Sequence, residues 1–305
     1  MDIATLDNLK IILDPIGQIG IAIALMLIMF SIALGLSTKD FIFLFQRRVL
    51  FAVGVVTQVA GLPLLTLLLI HLISPPPSIA LGMFVVACCP GGAVSNLFTY
   101  LSRGNVAYSV SLTAMSSALA AVFTPVSILF WSQTYKPTSD LLQSLEFNAI
   151  AFLLQTTVLL VIPLVLGMLI AARSPDIALR LRKKMALAGS LILIAAIAYG
   201  TAKFFDLLFP ALPLLASITI AHNALAFSTG ALVALLLRAD KATHRALTFE
   251  IGIQNSGLAI VILIGQFSGL GGAAAIAAVW GIWHIIAGGF IVILFRRLDR
   301  LRVTA

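Results

Sequence analysis

The chain has 305 residues, of which 61% are hydrophobic and only 10% charged, with a formal net charge of +8. A water-soluble domain carries about 25% charged residues, so the polar side chains that would cover a soluble surface are missing. This excludes a soluble enzyme or nucleic-acid-binding module and makes the bilayer the solvent. The excess of Lys and Arg is then a property of loops beside a membrane.

Crossing the hydrocarbon core takes about 20 mostly apolar residues. Such runs lie at about 17–37, 47–72, 78–102, 105–133, 147–172, 184–205, 210–238, 243–267 and 270–296. They predict an all-α polytopic membrane protein of nine transmembrane helices, a single membrane domain over 1–305. Ahead of the first run stand Asp2, Asp7, Lys10 and Asp14 without a basic leader, so no cleavable signal peptide is expected.

The loops alternate in charge. Lys39, Arg47 and Arg48 follow the first run, and Arg103 the third. Arg173, Arg180, Arg182, Lys183 and Lys184 follow the fifth, and Arg238, Lys241 and Arg245 the seventh. Arg296, Arg297, Arg300 and Arg302 close the chain. Ile73–Ser78 and Gln266–Gly272 carry no Lys or Arg, Ser132–Asp140 only Lys136, and the sixth loop only the nearby Lys203. Basic loops stay in the cytoplasm, which places the C-terminus inside and the N-terminus outside.

In the second run Gln58 stands five residues before Pro63. The third is interrupted by Cys89-Pro90-Gly91-Gly92, followed by Ser95 and Asn96. Cys88 and Cys89 lack metal-ligand spacing and read as small packing residues. On the fourth run Ser109, Thr113 and Ser116 share one helix face. The seventh and ninth carry His222, Asn223 and His284, of which the histidines read as packed, hydrogen-bonded residues.

The eighth run is interrupted over Glu250-Ile251-Gly252-Ile253-Gln254-Asn255-Ser256-Gly257. Broken backbone within a membrane survives only where it is buried in protein or lines a cavity. A matched pair of interrupted segments points to a transport site at the midplane. The third and eighth runs are the middle members of two triplets of opposite direction, the pattern of inverted repeats. Two roles are open to Glu250: an ion pair with Arg245 or Lys241, or, beside the carbonyls freed by the break, a ligand for a hard cation. Gln254 and Asn255, like Ser95 and Asn96, either bind ions and substrate or join helices by hydrogen bonds. No Walker loop, His-Glu-x-x-His helix, Gly-x-Ser-x-Gly elbow or transition-metal set occurs.

The stretch Cys88–Thr113 (CCPGGAVSNLFTYLSRGNVAYSVSLT) resembles the hallmark of the bile acid:sodium symporter family, as does Phe249–Leu258 (FEIGIQNSGL). Leu25–Phe41, His222-Asn223 and Trp283-His284 are also similar to family positions, and the resemblance covers nearly the whole chain. It implies two crossed discontinuous helices within a core domain (about 47–133 and 210–296), beside a panel of helices at about 17–37, 147–172 and 184–205. Two sodium ions are implied. The first would bind Ser95, Asn96, Ser109, Thr113 and Glu250; the second would bind Gln58, Glu250, Gln254 and the backbone of Ile251 and Ile253.

The implied substrate is an organic anion, bile-acid-like or a small carboxylate such as pantoate, near Asn255, His284 and Ile285. Two departures stand out: the family's additional N-terminal helix does not precede the first run, and Ile285 follows His284 where bacterial relatives carry Asn. The expected activity is sodium-coupled symport by alternating access, not enzymatic catalysis, in a bacterial inner membrane. No nucleic acid and no obligate protein partner is expected. Proton-coupled or sodium-independent transport of the same anions is the alternative, and an intramembrane enzyme a remote one.

Overall fold

A computed structural model describes residues 7, 15–36, 47–203, 205–267 and 269–303. Asp2, Lys10, Asp14, Lys39 and the end of the Leu25–Phe41 stretch lie outside the described residues. Among the described residues there are helices and no strands. In chain order these are α1 (Pro15–Ala33), α2 (Arg48–Ile73), α3 (Pro77–Cys88), α4 (Ala93–Leu101), α5 (Val106–Thr134) and α6 (Lys136–Ser144). There follow α7 (Ala149–Arg173), α8 (Pro175–Lys203), α9 (Phe205–Leu236), α10 (Lys241–Gly252), α11 (Ser256–Gln266) and α12 (Gly271–Val303).

Five of these helices contain a stretch long and apolar enough to cross a membrane: α2, α5, α7, α9 and α12. Shorter apolar stretches occur in α1, α3 and α11. Many of the large apolar side chains on these helices point outward, among them Leu68, Phe130, Leu154, Leu236 and Phe290. Such a surface suits lipid rather than water. The third and eighth apolar runs are each two short helices, α3 with α4 and α10 with α11. The sequence between the fourth and fifth runs, read as a loop, contains α6; Pro137 in its first turn suits a helix start.

Local chemistry sets the boundaries. Asn105, Asn148, Asp240 and Asn255 cap α5, α7, α10 and α11, each side chain accepting a backbone N–H three residues on. Ser74, in the left-handed region at φ 43°, ends α2 before three successive prolines. Within α2, Thr57–Gly61 widens into a π turn just ahead of Pro63. Proline lacks the N–H that residue 59 would receive, and its ring presses on that carbonyl; a wide turn relieves the clash.

Every residue of α3 from Ser78 to Cys88 is buried, which makes it the centre of the assembly. It lies against α12, α2, α5 and α11. α1 lies chiefly against α7 and α8 and also touches α11, while α10 lies against α9, α4 and α5. These contacts bring the two interruptions to one place.

Candidate functional site

The two interruptions pair with each other. Gly91 and Gln254 form an antiparallel bridge. The Gly92 N–H donates to the Ile253 carbonyl at 3.0 Å, and the Asn255 N–H donates to the Pro90 carbonyl at 2.9 Å. Groups that a break leaves without helical partners thus satisfy one another, as burial requires. The remaining carbonyls at the end of α10 are met by amides. Asn223 Nδ2 donates to Gly252 at 2.8 Å, Gln254 Nε2 to Ile251 at 2.9 Å, and Gln58 Nε2 reaches Glu250 O at 3.4 Å. Gly91 permits this approach: a Cβ there would sit 2.8 Å from Glu250 Oε2 and 2.9 Å from Gln58 Nε2.

The Glu250 side chain points into this junction and is fully buried. Ser95 Oγ from α4 and Ser109 Oγ from α5 each donate to Oε1 at 2.5 Å, and Thr113 Oγ1 lies 2.8 Å from Oε1 and 2.9 Å from Oε2. The ion-pair reading of Glu250 fails on geometry. Arg245 and Lys241 both pair with Asp299 of α12, and Arg245 also donates to the carbonyls of Ser102 and Phe295. Among the described residues no cation pairs with Glu250.

The donor set can be tested for a cation. Thr113 has one proton, yet four acceptors surround its hydroxyl: both Glu250 oxygens, Ser109 O at 3.0 Å and Asn96 Oδ1 at 3.4 Å. A site with more oxygen lone pairs than protons, and one uncompensated negative charge, fits a hard monovalent cation. Next to it, the buried Gln58 Oε1 and Gln254 Oε1 have no hydrogen-bond partner. Unpaired buried acceptors carry a desolvation cost, and a second cation between these amides would relieve it. Ile251 and Ile253 are buried there, but their carbonyls already accept from Gln254 and Gly92.

The expected substrate contacts are placed less uniformly. Asn255 caps α11, His284 is buried on α12, and Ile285 is 48% exposed on the outer surface. A cleft opens beside the junction, and its lining includes Gly35, Leu36, Gly91, Asn96, Thr113 and Arg182; His284 and Ile285 do not line it. Three features escaped the sequence reading. Thr99, buried on α4, lies 3.2 Å from Ser109 Oγ; its spacing of four from Ser95 was the available signal. The π turn that carries Gln58 had only Pro63 as a hint. Asn223, noted only for its resemblance, holds the last carbonyl of α10.

His222 is packed and hydrogen-bonded: its Nε2 lies 2.8 Å from Thr66 Oγ1 and its ring sits edge-on to Trp280. His284 is buried too, but its Nδ1 has no hydrogen-bond partner among the described residues. Cys88 and Cys89 are buried free thiols. Among the described residues no cluster of His, Cys, Asp and Glu could hold a transition metal.

Comparison with known proteins shows the family. The model of the "Sodium Bile acid symporter family" matches residues 22–208, which include the first interruption and its hydroxyls. The chain is similar to the uncharacterized sodium-dependent transporter YocS of Bacillus subtilis (strain 168). The two are 31% identical over 274 residues, 89% of this chain and 81% of that protein. It is 26% identical to the sodium-dependent organic anion transporter of Bos taurus over 290 residues, 94% of this chain and 75% of that protein. It is 28% identical to the ileal sodium/bile acid cotransporter of Homo sapiens over 256 residues, 84% of this chain and 72% of that protein.

Proposed function

The chain belongs to the Sodium Bile acid symporter family, and on that premise we propose that it couples the entry of two sodium ions to uptake of an organic anion by alternating access. The general activity is sodium-dependent transport across a membrane, not enzymatic catalysis. The observation that carries the finer reading is Glu250: a buried carboxylate met by three hydroxyls and, among the described residues, no cation, at the point where two interrupted helical segments are bonded together.

The first sodium ion binds Glu250, Ser95, Ser109, Thr113 and Asn96. The second binds Gln58 and Gln254, with Glu250 and the backbone near Ile251 and Ile253. Each residue has a defined part. Glu250 supplies charge, the hydroxyls of α4 and α5 replace the ion's water, and Gly91 keeps the site free of side chain. The ions join α4, α5 and α10, and the ordered junction forms one wall of the cleft where the anion binds. Ion and anion therefore bind with positive coupling, and the coupling is reciprocal.

The fold reading that accompanies this is nine spans in two inverted repeats with crossed interrupted helices. α1, α7 and α8 form a panel that moves against a core of the remaining helices. The mutual contacts of α1 with α7 and α8 support it. The basic loops support a cytoplasmic C-terminus, and similarity to a bacterial protein supports a bacterial inner membrane. Two sodium ions carried with one monovalent anion move one net charge, which a potential drives by about 2.3 kcal/mol per 100 mV.

The test is uptake of labelled organic anions into proteoliposomes under an inward sodium gradient. Uptake that collapses when potassium replaces sodium, and rises with an inside-negative potential, is the expected result. Uptake that follows a proton gradient instead would establish the alternative coupling.

A further inference from the structure

We propose that Arg182 is the subsite for the acidic group of the transported anion. The inference rests on the symport reading above. Of the basic residues in the first turns of α8, Arg182 alone lines the cleft, together with Asn96, Thr113 and Ser117. Its guanidinium lies over Gly35: a Cβ at that position would come within 2.6 Å of Cζ, 2.8 Å of Nε and 2.9 Å of Nη1. The glycine thus makes the berth in which the guanidinium rests.

Among the described residues no carboxylate pairs with Arg182, whereas Arg47, Lys136, Lys241 and Arg245 each have an acidic partner. Arg182 is also exposed. A planar fork of donors matches a carboxylate or sulfonate. The lining also includes Thr113 and Asn96 of the oxygen cluster around Glu250. An anion in the cleft would therefore meet both the Arg182 guanidinium and the ion site.

The experiment is thermal unfolding of the full chain in detergent at fixed saturating sodium, titrated with pantoate, pyruvate and taurocholate, and with the neutral amide of pantoate as control. A small acid should stabilise the protein and its amide should not. Arg182→Gln should weaken that binding about tenfold or more, the range for a lost charged hydrogen bond. Arg182→Lys should weaken it less, because charge remains but the fork does not. Gly35→Ala should also weaken it, since only the mobile end of Arg182 must give way for the fold to persist.

The sodium-induced shift should survive in all three variants, which also shows that they are folded. Undiminished binding of the small acid by Arg182→Gln would overturn the assignment of Arg182. Taurocholate binding that ignores the substitution would likewise overturn it. If no probe stabilises the unaltered protein while sodium does, the organic-anion reading itself falls.

Discussion

Replacing Glu250 by Gln tests the ion site with little change of shape. The carboxylate is buried without a cation, and an unpaired buried charge costs several kcal/mol. Its hydrogen bonds from Ser95, Ser109 and Thr113 offset part of that, at about 1.5–3 kcal/mol each. The amide removes the charge and keeps one acceptor, and the hydroxyls can turn to accept from its NH₂. In potassium chloride the variant should therefore melt close to the unaltered protein. Sodium is different. At about 100 times its Kd it adds about 2.7 kcal/mol to the unaltered protein, worth roughly 5–10 °C in Tm at about 2–4 °C per kcal/mol. Glu250→Gln should lose that increment, because the only formal charge among the described residues of the site is gone. The assay is thermal unfolding in sodium against potassium chloride at equal ionic strength and one scan rate. A full sodium shift in the variant would refute the reasoning.

Asn223→Ala should orphan the Gly252 carbonyl and lower stability by about 1–3 kcal/mol in thermal unfolding. Gly230→Ala would set a Cβ 2.5 Å from the Leu247 carbonyl and should push α9 from α10, at about 1–3 kcal/mol by the same measurement. Asp299→Asn leaves Arg245, 4% exposed, without its carboxylate, and should destabilise by about 3 kcal/mol; Arg245→Met in that background should restore part of the loss. Burial raises the pKa of Asp240, but its bonds from Thr243 and the Arg47 guanidinium outweigh burial and hold the carboxyl below 3.8. A depressed pKa contributes stability above the unfolded value, about 3.9, and loses it as pH falls through the folded one. Unfolding followed from about pH 6 to about pH 3 should thus show a step of less than about 1 kcal/mol, small because the pair is half exposed, that Asp240→Asn lacks.

What the sequence made legible were features encoded locally. Pro90, Gly91 and Gly92 announce one interruption, and the acid–amide run from Glu250 to Asn255 announces the other. Ser109 and Thr113 share a face by spacing alone, and all converge on Glu250 in the structure. What stayed hidden depended on partners distant in the chain. Arg245 has a carboxylate five residues away in Glu250, yet it pairs with Asp299, 54 residues on, because α12 passes the end of α10. Asn223 meets Gly252 only because α9 lies along α10. The π turn at Gln58 is a backbone adjustment that side-chain periodicity does not record, and α6 is too short and polar to register as a span. Arg182 read as one more loop cation until the turn after α1 brought Gly35 against it.

The bonds joining the two interruptions run between main-chain atoms, at Gly92 with Ile253 and Asn255 with Pro90. A gap in a helix is usually where a structure bends. Here it is a rivet: non-helical amides of Gly92 and Asn255 should exchange their hydrogens as slowly as the middle of a long helix. In the proposed transport cycle the junction would travel as one stiff piece, and the give would come from side-chain contacts between helices.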